Sequence, residues 1–575
     1  MGQRRKMWQN LEKQNNMVWQ DDKKVSLLRA AWPCWCFLAL VVLLSVPAFI
    51  EVMPQRDVAF RYAPMAEAFR DGDFTYAFHP RTGFFHTFTA GIIAWVLQCS
   101  GFLACKLSSL LFMSLTVFPL FALMRRVYSR FMAEIVTLVF ILASQLQRLG
   151  WSGLRDSHKT CLIILGGYAL IVIYQQREKW TGYIWLGIAV GAGFVTRGDL
   201  VLFMLLLLFW GIVMELKLKK FPLRSICSSV VAVVLALPAV ILNWYLAGVA
   251  VPEIRFALIF RSLMKRYPRL EDTLPLMVLG LVALFLIAWA VRRSYDAGFG
   301  KYLGWSAAGI WLALLVWRCC SADFQITVPV SNYLGSIIRG FFPVYAVTGL
   351  FGIGFRLLKK HWTREESILA AMLFGHAILV CSQVIFHDKT FYVSSRYLMP
   401  AIPLELGWSV IGILGLWEIL TCWVRDKHPR LVHNVGSIAF ALTVCGFLYD
   451  FYLPIINGKP WNYPEQLRMI AKTIQKDYKG PAEFRPEVDP EHYIPKLKPA
   501  ILFVSGRKKE FKIQPDFSKV IISAYFAKGR VAYNLAEADY VVDNYAKRNY
   551  FPAGTVLLRE VKFGKKKYRI WKKIK

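Results

Sequence analysis

The sequence predicts an α-helical polytopic membrane protein with a small α/β domain at its C-terminal end. Hydrophobic residues make up 56% of the 575 residues, and the mean hydropathy is +0.41. This composition is too apolar for a soluble protein of this length. The apolar residues also fall in runs of about 17–25 residues, which is the length that a helix needs to cross a bilayer. After position 453 such runs end and the composition becomes polar.

The apolar runs predict about thirteen transmembrane helices. They lie near 31–50, 102–124, 131–147, 160–175, 181–197, 199–214, 226–249, 274–291, 303–317, 338–357, 367–386, 399–420 and 433–452. The chain therefore divides into a basic N-terminal extension at 1–30, a transmembrane domain at 31–452 with a first outer loop at 52–101, and a soluble domain at 453–575. Inside the outer loop, an apolar stretch at 84–99 is short for a crossing and predicts a juxtamembrane helix.

Basic residues cluster in every second connection between the predicted spans, in phase with the basic N-terminus. Arg125-Arg126, Lys219-Lys220 and Arg292-Arg293 are examples. Because Lys and Arg are retained on the cytoplasmic side, this pattern predicts a cytoplasmic N-terminus, with the loop at 52–101 and the C-terminal domain outside. The net charge of +33 then reflects cytoplasmic loops and contacts with lipid headgroups rather than nucleic acid.

Cations also occur in the predicted outer connections, where the same rule disfavours them. Examples are Arg56, Arg61, Arg70 and Arg81 in the first loop, Arg148, Arg155 and Lys159 in the second, and Arg255, Arg261, Lys265, Arg266 and Arg269 at 250–273. One explanation is an anion held at the outer surface, such as the phosphate of a lipid. The alternative is that their long side chains reach for headgroups, which explains about half of them individually.

Two acids lie at the same level as these cations. Asp57 directly precedes a helical apolar pattern at 59–69, near the positive end of that helix, where a carboxylate tends to stay ionised. Asp156 lies in the second outer loop. One carboxylate could deprotonate an attacking hydroxyl or amine while guanidinium groups stabilise a departing phosphate. The alternatives are simple ion pairs of these acids with Arg61 and Arg155, or an ordinary solvated loop.

No cofactor follows with certainty from the sequence. His79, His86, His158 and His387 lie in or beside the outer connections, which leaves a divalent metal open, although none of them has the tight spacing of a metal motif. The cytoplasmic connections contain no phosphate-binding loop. The energy for a synthesis would therefore have to arrive in an activated lipid substrate.

Five motifs occur in order on the predicted outer side. They are Asp57 with RYAPMAEAFRDGDF, the His-Pro helix HPRTGFFHTFTAG, GLRDSHK, the Gly-rich GIAVGAGFVTRGDLVLF and SSRYLMPAIPLELG. With these motifs the chain resembles the integral-membrane glycosyltransferases of the GT-C type, and within them the protein O-mannosyltransferase and aminoarabinose lipid A transferase group. The chain departs from the group's pattern at Arg81, where a second proline is usual, and at Phe78, where the aminoarabinose members carry an acid.

The resemblance implies a transferase whose donor is a sugar linked to polyprenyl phosphate and whose acceptor is an envelope glycan, a lipid or a protein. Asp57 would be the catalytic base and Asp156 the second acid of the site. The donor phosphate would be bound by Arg61, His79, Arg255, Lys265 and Arg266, and Tyr62, Arg396 and Tyr397 would line the cavity. Phe78, in the place of a metal-binding acid, argues against a metal.

The soluble C-terminal part predicts an amphipathic helix at 466–477 and strands at 500–504, 520–523, 540–542, 556–561 and 568–571. Its basic end, GKKKYRIWKKIK, favours anionic headgroups or an anionic acceptor over RNA if this domain lies outside. The domain could equally be a packing element.

Two other classes of function remain open. A transporter or flippase of polyprenyl-linked lipids would also need outer cations, although internal repeats and mid-membrane charges are then usual. A non-catalytic envelope scaffold would bind through the C-terminal domain. Compact loops favour the inner membrane of a bacterial cell as the location.

Overall fold

The computed structural model describes residues 27–51, 57–78, 84–218, 221–247, 270–296, 343–386, 395–425, 428–456, 464–478, 500–504, 530–531, 538–543, 555–563 and 566–574, together with residues 313 and 335. Contacts divide the chain into two units. The first comprises Met1–Ser45, Leu111–Gln147 and Arg155–Phe451, and the second comprises Val46–Leu110, Arg148–Leu154 and Tyr452–Lys575.

The described part of the chain is mainly helical, as its apolar runs predict. The helices are α1 Leu27–Glu51, α2 Ala63–Arg70, α3 Phe74–Ala77, α4 Phe84–Leu97, α5 Gly101–Leu115, α6 Val117–Val127, α7 Arg130–Leu142, α8 Ser144–Trp151, α9 Asp156–Gln175, α10 Trp180–Thr196, α11 Gly198–Leu216, α12 Leu223–Ala247, α13 Leu270–Asp296, α14 Pro343–Leu358, α15 Arg364–Phe386, α16 Leu406–Arg425, α17 Pro429–Ile456 and α18 Pro464–Asp477. Most predicted spans within the described residues coincide with one helix. The spans at 102–124 and 131–147 each cover two helices, and the span at 399–420 begins in the 3₁₀ segment Met399–Leu404. The span at 303–317 lies outside the described residues, apart from residue 313.

Among the described residues, four helical stretches are long and apolar enough to cross a membrane, namely Gly101–Val127, Asp156–Gln175, Leu223–Leu242 and Pro429–Tyr449. Several shorter apolar helices accompany them. Their outward faces expose large apolar side chains, which is typical of helices that face lipid. Examples are Val230, Val234 and Leu235 on α12, and Val344, Val347 and Leu350 on α14.

Helix α9 is the centre of the first unit. Its first five residues are polar, its side chains from Cys161 onward are mostly apolar on all sides, and nearly all of the helix is buried, which is the pattern of a helix enclosed by other helices. It packs against α6, α10, α11, α15 and the 3₁₀ segment Met399–Leu404. At about 1.5 Å per residue, its 20 residues span about 30 Å, so its two ends lie at opposite sides of the bundle.

Helices α14 and α16 approach each other at two glycines. A Cβ atom on Gly352 would lie 2.0 Å from the carbonyl oxygen of Trp408, and one on Gly412 would lie 2.0 Å from that of Thr348. Small residues allow backbones to come this close in membrane helix pairs, where packing supplies much of the association energy.

The second unit contains a five-stranded sheet in the order β2-β1-β3-β5-β4. The strands are β1 Ala500–Val504, β2 Arg530–Val531, β3 Tyr540–Asp543, β4 Thr555–Phe563 and β5 Lys566–Lys573. Strands β2, β1 and β3 are parallel, and β3, β5 and β4 are antiparallel, with Val541 opposite Trp571. The prediction of a small C-terminal α/β domain is confirmed. The predicted strand at 520–523 lies outside the described residues, and β2 was not predicted.

One apolar cluster forms the core of this unit. It contains Val58 and Tyr62 from the segment before α2, Phe102 from α5, and Ile474 and Ile570 from the C-terminal part. Helix α18 contributes its predicted apolar face to this cluster, and it also packs on β4. The core therefore joins the segment that contains Asp57 to the C-terminal sheet.

Candidate active site

Asp57 lies at the start of an unusual helical turn. The five residues Val58–Tyr62 form a π-helix, in which the N–H of Ala63 donates to the carbonyl oxygen of Val58, and α2 continues from there. Asp57 is half-buried at the N-terminal cap, and its side chain makes no capping hydrogen bond. Its carboxylate is therefore next to the positive end of a helical segment. Single π-turns of this kind are frequent at functional sites.

The two predicted site residues that follow Asp57 differ in exposure. Arg61 is half-buried one turn further along. Tyr62 is buried, and its ring meets the buried imidazole of His86 edge to face, with 5.1 Å between the ring centroids. Tyr62 thus packs the π-turn against α4.

Two polar side chains of α2 form hydrogen bonds with the backbone at the start of α5. The backbone N–H of Gly101 donates to Oε1 of Glu67 at 2.9 Å. Arg70 donates to the carbonyl oxygen of Cys99 at 3.0 Å and to the carboxylate of Asp71. The hydrogen bond that Arg70 donates to Asp71 raises the pKa of Arg70, which stays charged, and burial raises the pKa of the Cys99 thiol. These contacts fix the position of α2.

Phe78 and His158 each stack on an aromatic ring. Phe78 is buried and stacks on Phe84 at a centroid distance of 4.9 Å, and Phe84 in turn stacks on Phe88. His158 also stacks on a phenyl ring, that of Phe112, at 3.9 Å. No group of three or more His, Cys, Asp or Glu that could hold a metal occurs within the described ranges. Two of the four histidines considered for a metal, His79 and His387, lie outside the described residues, so the divalent metal stays an open prediction.

Asp156 forms a buried ion pair with a residue that the sequence analysis did not assign to the site. Its Oδ1 accepts a hydrogen bond of 2.5 Å from Nη1 of Arg197, and the two side chains are 1% and 8% exposed. The sequence suggests Arg155 as the partner of Asp156, because the two residues are adjacent in the chain. Arg197 lies in the Thr-Arg-Gly stretch at the end of the Gly-rich span, where it is the extended residue between α10 and α11.

Tyr397 and Arg396, two predicted cavity residues, lie at the same place. The guanidinium carbon of Arg197 is 4.5 Å from the centroid of the Tyr397 ring, and that of Arg396 is 5.5 Å from it. Nζ of the buried Lys159 donates to the carbonyl oxygen of Tyr397 at 3.3 Å. The structure thus brings the predicted residues Asp156, Arg396 and Tyr397 together through Arg197.

Four predicted phosphate-binding residues lie outside the described residues, namely His79, Arg255, Lys265 and Arg266. Their role stays a prediction. A different buried cation, Lys106, occurs on α5, where its Nζ lies 5.4 Å from the centroid of the Phe102 ring. Lys106 was not among the predicted site residues, although a lone lysine within an apolar run is a recognisable signal, because such residues in membrane helices are usually functional.

No protein-family model matches the sequence, and no curated protein is similar to it in sequence. Solved structures do match the fold. The archaeal oligosaccharyltransferase AglB from Archaeoglobus fulgidus, in complex with an inhibitory peptide and a dolichol-phosphate, has a TM-score of 0.52 and 11% identity, with 90% of this chain and 70% of that chain covered. The apo form of the Archaeoglobus fulgidus oligosaccharyltransferase matches with the same TM-score of 0.52 and 12% identity, at 90% and 70% coverage.

ArnT from Cupriavidus metallidurans, bound to undecaprenyl phosphate, matches over nearly its full length. Its TM-score is 0.50 and its identity 11%, with 94% of this chain and 98% of that chain covered. AglB and ArnT are both GT-C membrane glycosyltransferases. The predicted resemblance is confirmed at the level of the fold, and this chain is a multi-pass membrane protein with the GT-C fold.

Proposed function

We propose that this protein transfers a sugar from a polyprenyl-phosphate donor to an acceptor on the outer side of the membrane. The GT-C fold supports a glycosyltransferase, and two structures that share it are described with dolichol-phosphate and undecaprenyl phosphate bound. The acceptor class is an envelope glycan, a lipid or a protein. The protein would reside in the inner membrane of the cell, with its N-terminus cytoplasmic and the C-terminal domain outside.

The observation that carries this proposal is the half-buried carboxylate of Asp57 at the start of the π-turn. A general base must be ionised and must be held in one geometry. The adjacent helix N-terminus favours the ionised form. The hydrogen bonds from the N–H of Gly101 to Glu67 and from Arg70 to the carbonyl oxygen of Cys99 hold the following helix in place.

The proposed reaction is a single inverting displacement. Asp57 removes a proton from an acceptor hydroxyl or amine, and the acceptor atom forms a bond to C1 of the sugar. The bond between C1 and the phosphate oxygen breaks, and the polyprenyl phosphate leaves with the electron pair. Cationic side chains stabilise the charge that develops on the phosphate. Among the residues that the structure describes, Arg61 is the candidate for this role. The other candidates, His79, Arg255, Lys265 and Arg266, lie outside the described residues.

The test is an assay of the purified protein with a labelled polyprenyl-phosphate sugar. We expect release of free polyprenyl phosphate that depends on an added acceptor fraction, and a product of inverted anomeric configuration. A retained configuration would reject the single displacement.

The same assay separates the other classes of function. Movement of the intact lipid-linked sugar across a vesicle membrane, without cleavage, would identify a flippase. Binding of envelope glycans with neither cleavage nor movement would identify a scaffold. Either result would overturn the proposed transferase.

A further inference from the structure

Arg197 makes two different contacts with its guanidinium group. One edge donates to the carboxylate of Asp156 at 2.5 Å, and the guanidinium carbon lies 4.5 Å from the ring centroid of Tyr397. The Arg197 and Asp156 side chains are 8% and 1% exposed. A planar group that is fixed by a carboxylate at its edge and by a ring at its side has little freedom to rotate.

These contacts join three segments that are far apart in the sequence. Asp156 begins α9, Arg197 is the extended residue between α10 and α11, and Tyr397 ends the 3₁₀ turn Ser395–Tyr397. A second contact connects α9 to Tyr397, because Nζ of Lys159 donates a hydrogen bond to the carbonyl oxygen of Tyr397 at 3.3 Å. The Arg197 and Lys159 contacts together hold Tyr397 against the end of α9.

The segment around Tyr397 depends on such side-chain contacts, because its own backbone supplies few hydrogen bonds. Met399–Leu404 is a six-residue 3₁₀ helix that contains Pro400 and Pro403. Hydrogen bonds in 3₁₀ helices have poorer geometry than those of α-helices, and each proline removes a donor. The side-chain contacts of Arg197 and Lys159 therefore fix the start of this segment.

We propose that Arg197 is a positioning residue that orients Tyr397, and through the ring of Tyr397 the guanidinium of Arg396, which lies 5.5 Å from that ring. Asp156 then serves to hold Arg197 rather than to remove a proton, which leaves the base role to Asp57. The catalytic part of this inference rests on the proposed function. The structural part, that Arg197 and Asp156 order residues 395–404, stands without it.

The first test measures backbone order, independently of activity. Hydrogen–deuterium exchange of peptides that cover 395–404 is compared in the full-length wild type, in Arg197→Lys, and in the double variant Asp156→Asn/Arg197→Gln. The double variant removes the charges of both members of the pair, so neither partner is left buried with its counter-charge missing. We expect exchange in this segment to rise at least about tenfold in the double variant.

A matched control is available at the other end of the bundle. Glu215 and Arg224, at the end of α11 opposite Arg197, form a partly buried pair at 3.5 Å, with side-chain exposures of 1% and 20%. The variant Arg224→Gln/Glu215→Gln removes one positive and one negative charge in the same way, and we expect it to leave exchange at 395–404 unchanged.

The second test is kinetic. A lysine at 197 keeps the charge but has no planar group to stack on Tyr397. We expect Arg197→Lys to lower kcat by about 10- to 100-fold with little change in the donor KM, since small misplacements of this kind act on the reacting geometry. The control double variant should change neither kcat nor the donor KM.

Two outcomes would overturn the inference. Unchanged exchange at 395–404 in the double variant would reject the ordering role. Raised exchange with wild-type kcat would reject positioning and leave a purely structural pair. If the wild type itself releases no polyprenyl phosphate, the proposed function fails, and the exchange result still decides whether Arg197 orders the segment.

Discussion

Arg126 and Gln175 bind each other at one end of α9. Nη1 of Arg126 donates to Oε1 of Gln175 at 3.1 Å, and Nε2 of Gln175 donates to the carbonyl oxygen of Arg126 at 3.2 Å. Gln175 also donates to Glu365 at 3.3 Å. Three connections whose basic residues predict a cytoplasmic location thus meet at one end of the bundle. Asp156, at the other end of α9, meets Arg197 and Tyr397, which flank predicted outer connections.

The first prediction concerns the side of the membrane on which these ends lie. A cysteine introduced at the exposed Glu178, next to Gln175, should be protected from a membrane-impermeant maleimide in intact cells. A cysteine at the exposed Asp71 should be labelled under the same conditions. The unsubstituted protein gives the background, because it contains cysteines such as Cys36 that are exposed. Labelling at 178 together with protection at 71 would invert the topology and remove Asp57 from the outer face.

The second prediction concerns Asp57. Asp57→Asn has nearly the same shape but no basic carboxylate, so we expect turnover to fall at least about 10³-fold while donor binding and the thermal unfolding temperature stay close to wild type. The matched control is Asp71→Asn, which neutralises an exposed acid in the same segment. Its activity should stay within about twofold of wild type, since exposed ion pairs contribute little. Near wild-type turnover by Asp57→Asn would remove Asp57 as the base.

Helix positions were predictable from the sequence because lipid imposes a single strong rule. Each crossing needs a long apolar run, so α1, α9 and α12 appear as runs near 31–50, 160–175 and 226–249. The amphipathic α18 and strands β1, β3, β4 and β5 also follow from local patterns. The two-residue β2 carries no pattern long enough to be recognised.

Partners within the candidate site were less predictable, because they depend on tertiary contacts. Asp156 has Arg155 beside it in sequence, yet it pairs with Arg197, which is 41 residues away. Likewise, nothing in the sequence VAFRY distinguishes the π-turn at 58–62 from an α-helical turn. The turn becomes visible only in the folded protein, where Tyr62 packs against His86.

The third prediction tests the close contact between α2 and α5. A Cβ atom on Gly101 would lie 1.9 Å from the carbonyl oxygen of Ala63, which is backbone and has no room to move aside. We expect Gly101→Ala to destabilise the protein by about 2–3 kcal/mol, in the range of overpacked cores. The control is Gly280→Ala on α13, where a Cβ meets nothing within 4 Å and helix propensity should add up to about 1 kcal/mol. Equal unfolding temperatures in detergent for the two variants would contradict the packing.

The fourth prediction compares two arginine ion pairs at the same end of the bundle. Glu366 is fully buried and accepts hydrogen bonds from Arg356, Thr363 and Trp408. Arg356→Gln leaves its carboxylate without a counter-charge and should cost about 3 kcal/mol of stability. Arg130→Gln removes an exposed pair with Glu134 and should cost less than about 0.5 kcal/mol. Thermal unfolding of both variants decides this, and a smaller loss for Arg356→Gln than for Arg130→Gln would refute it.

The fifth prediction concerns the pH dependence of the C-terminal domain. The hydroxyl of Tyr540 donates to Oδ2 of Asp477 at 2.6 Å, and Lys572 pairs with the same oxygen at 2.7 Å. Burial, and then the hydrogen bond to Asp477, raise the pKa of Tyr540 above its ordinary value. The folded protein therefore holds this proton more tightly than the unfolded chain does. The resulting stability is fully present below about pH 10 and is lost as the pH rises further.

Tyr540→Phe removes both the hydrogen bond and this titration. Its unfolding temperature should lie below that of the wild type at pH 8, by an amount that corresponds to about 1 kcal/mol. The difference should then narrow as the pH rises from about 9 to 11, because only the wild type loses stability through this phenol. Tyr245→Phe, at an exposed tyrosine on α12, is the control and should match the wild type throughout. A difference that stays constant between pH 8 and 11 would show that the phenol proton of Tyr540 is held no more tightly in the folded state than in the unfolded chain.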